Sequence, residues 1–141
     1  MNALKKLELY LDLARRVAEE SYCERLKVGA IIVKDGNIIS FGYNGTPTGM
    51  LNKCEDQDVT FSYVLHAESN AITKACKSPI STEGATMYIT HSCCLECAKL
   101  IVQSGIKTVY FINKYRDEAG TKLLQNCGVK AIQYKPKTLK L

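Results

Sequence analysis

Leu4, Leu7, Leu11, Ala14 and Ala18 recur at alternating steps of three and four, which describes one apolar stripe on an N-terminal helix. The period then changes. Val28 to Val33 is a short apolar, β-branched run, Asp35-Gly36 follows, and Ile38-Ile39-Ser40-Phe41 resumes the apolar pattern, so two strands joined by a tight turn are predicted. From Asn44 to Leu65 regular patterning stops, with Pro47 and glycines breaking it; a loop this long inside a compact domain usually has a task. Beyond it, His66 to Cys76 reads as an alanine-rich helix, Ala85 to Thr90 as a strand, Cys94 to Gln103 as a helix and Thr108 to Ile112 as a strand. A last helix is expected over about Ala119 to Gln125, ending near Gly128, and a last strand over about Lys130 to Gln133.

A hairpin followed by alternating helices and strands predicts an α/β fold, a mixed sheet of about five strands with helices on both faces. The crossovers from Tyr88 to Tyr110 and from Tyr110 to Ile132 have the length of right-handed βαβ units. One domain is expected over residues 1–141.

Composition narrows the class. Hydrophobic residues make up 46% and charged residues 23% of the chain, which is ordinary globular usage and excludes a disordered polymer. No apolar run approaches the roughly 18–20 residues of a membrane span, and the first residues lack a secretory apolar stretch, so a cytoplasmic location is expected. The net charge is +5, and Lys135, Lys137 and Lys140 sit in a basic tail over about residues 135–141 that reads as solvated chain. Neither a nucleic-acid polymer nor a membrane is expected as partner. Seven cysteines, an odd number without a secretion signal, argue against a disulfide framework and for metal ligation and buried thiols. Cys76 and Cys127 fall in helical segments and read as small buried apolar residues.

The chemistry is concentrated in His66-Ala67-Glu68 and Cys94-Leu95-Glu96-Cys97, each opening a helix after less regular chain. Residues three apart share one face of a helical turn, so both sulfurs can reach one ion. A helix N-terminus favours thiolate over thiol. With His66 as third ligand, one imidazole and two thiolates suit Zn²⁺ and leave a fourth position for water. Glu68 separates a catalyst from a closed structural site. It stands about 200° from His66 on an ideal helix, yet at a first turn both can lean over the end. A carboxylate there can take a proton from water, hand it to a ring nitrogen and protonate a departing amine.

His-x-Glu followed by Pro-Cys-x-x-Cys is the signature of zinc deaminases. Here the proline is replaced by Cys93. With Ser92 as N-cap, position 93 is the first helical residue, where proline would cost nothing and cysteine keeps the helix. Cys93 also opens a rival register, since Cys93 and Cys97 are four apart.

Nearly the whole chain resembles the zinc-dependent cytidine/deoxycytidylate deaminases of phage and bacterial type. The resemblance rests on Ser21-Tyr22-Cys23-Glu24-Arg25, Val28-Gly29-Ala30, Gly42-Tyr43-Asn44-Gly45-Thr46-Pro47, both zinc motifs, and Tyr110 through Tyr115-Arg116-Asp117. It implies hydrolysis of dCMP to dUMP and ammonia, a source of thymidylate precursor. It also implies a homo-oligomer, often a hexamer, activated by dCTP and inhibited by dTTP. Asn44 would bond the sugar, unless it is only a turn asparagine before Gly45. Ser21 and Arg25 are candidates for the 5′-phosphate, Arg25 being otherwise an ordinary surface residue. Tyr115 would pack on the base or close the pocket, or be a plain aromatic at a strand end. His91 is a candidate neighbour of the site. Some phage relatives hold a second zinc through cysteines in the regions of Cys23 and Cys54; here the stretch between them and His66 supplies Glu55, Asp56 and Asp58 but no histidine. Two alternatives stay open: a deaminase of another substrate (tRNA adenosine, a nucleoside such as cytidine, or a free base), and a zinc-stabilised binding module without turnover.

Overall fold

Residues 1–137, which the computed structural model describes, carry α1 (Ala3–Ala18), β1 (Gly29–Lys34), β2 (Asn37–Tyr43), β3 (Glu55–Asp56), β4 (Val59–Thr60), α2 (Ala67–Ala75), β5 (Thr86–His91), α3 (Leu95–Gln103), β6 (Thr108–Asn113), α4 (Ala119–Asn126) and β7 (Lys130–Gln133). The larger sheet runs β2-β1-β5-β6-β7. β1 pairs antiparallel with β2 and β5, whereas β5, β6 and β7 are parallel, joined through α3 and α4. The hairpin turn has Asp35 and Gly36 at φ 51° and 77°, the left-handed pair that a two-residue turn between twisted strands requires.

Alternation along the central strands sorts the core into two layers. Ala30, Ile32, Met87, Ile89, Val109 and Phe111 face the layer containing α2, α3 and α4. Ile31, Val33, Tyr88 and Ile112 point the other way, onto Tyr10, Leu11 and Ala14 of α1. Leu11, Ile32 and Ile89 are wholly buried, and each such side chain contributes about 1.5–3 kcal/mol of transfer free energy.

Two glycines bring backbone against backbone where the chemistry is. A Cβ on Gly42 of β2 would stand 2.6 Å from Ala71 N and 2.7 Å from Ala67 O, so α2 lies directly on β2. A Cβ on Gly120 would press on the carbonyls of Cys93 and Cys94, so α4 packs on the turn that leads into α3. The Ser40 hydroxyl, donating to Ala71 O at 2.7 Å, and the Asn70 amide, donating to Tyr43 O at 2.9 Å, pin α2 further.

Residues 44–65 depart from the expectation of unpatterned loop. Gly45 and Leu65 exchange backbone hydrogen bonds of 3.1 and 2.8 Å, closing the segment on itself, and β3 and β4 form a small hairpin within it. Strands of two residues leave no period to read. The closure sets Asn44 beside His66 across the neck of the loop.

Three cysteine expectations are corrected. Cys23 and Cys54 are joined in a disulfide with Cα atoms 5.2 Å apart, against the expectation of free thiols. With Glu55 they also form a group that could hold a metal ion when the two sulfurs are reduced. Cys76 and Cys127 are exposed, because they cap the C-termini of α2 and α4 beyond the core-facing stripes. Lys135 and Lys137 of the basic tail are exposed, and Lys140 lies outside the described residues. Among the described residues no helix is long and apolar enough to cross a membrane.

Candidate active site

α2 and α3 begin on residues that are poor helix caps. His66 and Cys94 are the N-caps, both in extended backbone, and neither makes a side-chain capping hydrogen bond. Serine, aspartate or asparagine there would stabilise each helix by about 1 kcal/mol. Instead both side chains turn toward each other, and the unpaired first-turn N–H groups of two helices converge on one place. The N-cap of α3 is Cys94 and not Ser92, two residues later than expected. Cys93 consequently points into the core, 1% exposed, and burial pushes its thiol up to about 12. The ligand group is His66, Cys94 and Cys97.

His66 Nδ1 stands 3.3 Å from Cys94 Sγ and 3.4 Å from Cys97 Sγ. A tetrahedral zinc with ordinary Zn–N and Zn–S lengths sets such N···S separations at about 3.6 Å, so the residues present fit that ion. In the metal-free trio, the hydrogen bond from the Cys97 thiol, then that from His66, holds Cys94 down to about 4. Cys97 is pushed up by its bond to Cys94 and by burial, and His66 is raised by its bond to Cys94. Protons thus occupy the place of a cation, and metal binding must release them.

Because His66 is outside the helix, Glu68 is the second residue of α2 and the angular objection to its sharing the site disappears. It is 4% exposed. Burial pushes its carboxyl up to about 7, with partial offset from its own backbone N–H and from His66.

His66, Glu68 and Cys94 line a cavity of about 330 Å³ whose wall also includes Arg25, Asn44, His91, Ser92, Tyr115 and Arg116. A larger cavity, about 540 Å³, lies under α1 beside Tyr10, Tyr88 and Tyr110, away from these groups.

The family described as the cytidine and deoxycytidylate deaminase zinc-binding region matches residues 4–113. The chain belongs to the cytidine and deoxycytidylate deaminase family. It is 38% identical to ComE operon protein 2 of Bacillus subtilis, over 86% of this chain and 67% of that one. Deoxycytidylate deaminase of Enterobacteria phage T4 is 35% identical, with 95% and 92% of the two chains covered. The dCMP deaminase of cyanophage S-TIM5, solved with dCMP and dUMP, superposes with a TM-score of 0.91 at 44% identity, covering 95% and 99%. The mixed five-stranded sheet with helices on both faces is the fold expected of this deaminase family, and zinc is the metal of its ligand set.

Within this deaminase the outlying candidates divide. Arg25 lines the pocket and donates from Nη1 to Thr60 Oγ1 at 3.2 Å. Tyr115 also lines it, held by its backbone N–H donating to Ser92 Oγ at 2.6 Å. Asn44 does too, but its side chain is mostly engaged: Oδ1 accepts from Val28 N at 2.9 Å and Nδ2 donates to Leu26 O at 2.7 Å. One N–H remains for a ligand. Ser21 is not brought to the pocket wall. It is 2% exposed, donates to Asn44 O at 2.8 Å and accepts from Cys23 N at 3.2 Å, so it shapes the loop behind Arg25. Arg116 and Glu55 were missed as site residues. Arg116 was legible as a cation next to Tyr115. In the sequence Glu55 reads only as an acid near the candidate second metal; in the fold its carboxylate accepts from the N–H groups of Glu24 and Arg25 at 3.0 and 3.1 Å, bracing the Arg25 segment from across a loop.

The buried carboxyl makes a pH prediction for the metal-free deaminase. Its folded-state pKa lies above the ordinary value of 4.5, so its contribution to stability is full below about 4.5 and is lost as pH rises through about 7. Glutamine has no such dependence. Between those pH values the stability of metal-free Glu68→Gln should rise relative to the parent by up to about 3 kcal/mol, read by urea unfolding. Parallel pH profiles would contradict the burial of an ionisable group at this position.

Proposed function

We propose that the protein hydrolyses dCMP to dUMP with release of ammonia. The observation that carries this reading is a buried carboxyl beside a three-ligand zinc set, at the bottom of a pocket whose mouth holds two arginines. The 44%-identical dCMP deaminase that holds dCMP and dUMP supports the choice of substrate.

Zinc held by His66 Nδ1 and the sulfurs of Cys94 and Cys97 supplies a Lewis acid that brings the pKa of water toward neutrality. Glu68 moves the protons. It accepts one from the attacking water and delivers it to ring N3 of the cytosine. It then takes the second from the oxygen added at C4 and gives it to the amino group as the C4–N bond breaks, C4=O forms and ammonia leaves. A carboxyl poised near 7 before metal binding suits both directions of transfer. Arg25 and Arg116 supply charge for the 5′-phosphate, and Glu55 fixes the backbone that carries Arg25. Asn44 has one N–H left for the deoxyribose, and Tyr115 flanks the ring.

Assembly and regulation belong to the same reading. Leu51 is 85% exposed and Val59 66%, with Met50 and Tyr63 also exposed on the same loop, an apolar surface suited to a second copy of the chain. The resemblance adds a hexamer activated by dCTP and inhibited by dTTP. dCMP, deoxycytidine, CMP and an RNA anticodon stem-loop, assayed side by side with and without dCTP, test the proposal. Turnover of dCMP well above the others is expected; turnover of the RNA but not of dCMP would overturn it.

A further inference from the structure

β5 ends in a pair of side chains that the reaction as described leaves unused. Gly29 N–H donates to Thr90 Oγ1 at 3.2 Å, and Thr90 Oγ1 lies 2.9 Å from His91 Nδ1. Thr90 is 4% exposed. A hydroxyl has one proton and two lone pairs, and Gly29 occupies one of the lone pairs. Among the described residues no other acceptor is within reach of the hydroxyl proton. If Nδ1 carried a hydrogen, that buried proton would have no acceptor, which protein interiors avoid. The hydroxyl therefore donates to Nδ1, and His91 keeps its proton on Nε2. Burial lowers the imidazole pKa, so the ring is neutral near pH 7. Nε2 has no protein partner among the described residues, and His91 forms part of the pocket wall beside Ser92, Tyr115 and Arg116.

We propose that His91, locked by Thr90 as the neutral Nε2–H tautomer, donates a hydrogen bond to the 5′-phosphate of the substrate. This rests on the reading of the pocket as a dCMP site. Beyond Glu68 and the ligands His66 and Cys94, the wall's charged and imidazole side chains Arg25, Arg116 and His91 are donors. The side-chain oxygens of Asn44, Thr60 and Ser92 already accept from Val28 N, Arg25 Nη1 and Tyr115 N. The one further carboxylate, Glu55, is turned to the N–H groups of Glu24 and Arg25. A group that only accepts, such as a phosphate monoester, matches that wall, whereas a sugar hydroxyl also needs an acceptor. His91 adds direction where the arginines add charge.

The test uses zinc-loaded protein and compares dCMP with deoxycytidine. His91→Ala should raise KM for dCMP about 10–100-fold, the range of a lost hydrogen bond to a charged group, with kcat within about twofold. Its kcat/KM for deoxycytidine should not change. Thr90→Val should shift dCMP in the same direction by less, and Thr90→Ser should restore it. In ¹⁵N NMR of the parent, His91 should show a pyridine-like Nδ1 and a pyrrole-like Nε2, and titration with inorganic phosphate should move the Nε2–H resonance. Equal losses on both substrates, an Nδ1–H tautomer, or an Nε2–H indifferent to phosphate would each overturn the proposal. The NMR readouts need no turnover, so absence of dCMP deamination by the parent would refute the substrate reading and leave the His91 contact to be judged by phosphate alone.

Discussion

Glu68→Gln is expected to lower deamination of dCMP by on the order of 10²–10⁴-fold, the contribution of a positioned general acid–base group, and to leave bound zinc unchanged. The substitution conserves volume at a position only 4% exposed, so packing of α2 on β2 survives. Glutamine offers a carbonyl and an amide but cannot take a proton from water or give one to N3. None of the three ligand atoms belongs to Glu68, so metal content is an internal control. A closed structural zinc site predicts the opposite pair of results, with function untouched. Deaminase activity within a few-fold of the parent, at full zinc content, would remove Glu68 from the mechanism.

Removing a ligand acts one step earlier. Cys97→Ala leaves one sulfur and one imidazole, and affinity for zinc should fall by more than the roughly 10–100-fold that loss of a group supporting a ligand costs. Activity should be lost with the metal, and added zinc should recover little of it. Cys97 is buried in the first turn of α3, and its thiol is the proton donor that keeps Cys94 anionic before metal binds. Cys93→Ala is the matched control. It removes a neighbouring sulfur from the core at a cost of about 1 kcal/mol and should retain one zinc per chain. Zinc lost with Cys93→Ala and kept in Cys94→Ala would reverse the register assigned to the cysteine helix.

Local patterns carried much of this structure. The stripe from Leu4 to Ala18 foretold α1, and Asp35-Gly36 between apolar runs foretold the hairpin, because each depends on neighbours in sequence. The zinc set was legible for the same reason: two short motifs at helix starts define what the donors are before anything says where they meet. What escaped depends on contacts far along the chain. The Cys23–Cys54 bond and the Glu55 brace require residues 44–65 to fold back over the segment before β1, and no period announces that. Asn44 has the right type and place for a ligand, yet most of its polar atoms hold residues 26–28 in position. The start of α3 was misplaced because Ser92 looks like a cap, whereas its hydroxyl accepts from Tyr115 and the true cap is a metal ligand.

Zinc per chain, measured together with ammonia released from dCMP before and after chelation, tests the central claim most directly. One zinc per chain, ammonia equal to dUMP, loss of activity on chelation and its return with zinc are the results predicted. Purified protein that carries no metal and deaminates dCMP undiminished in the presence of a chelator would contradict the account.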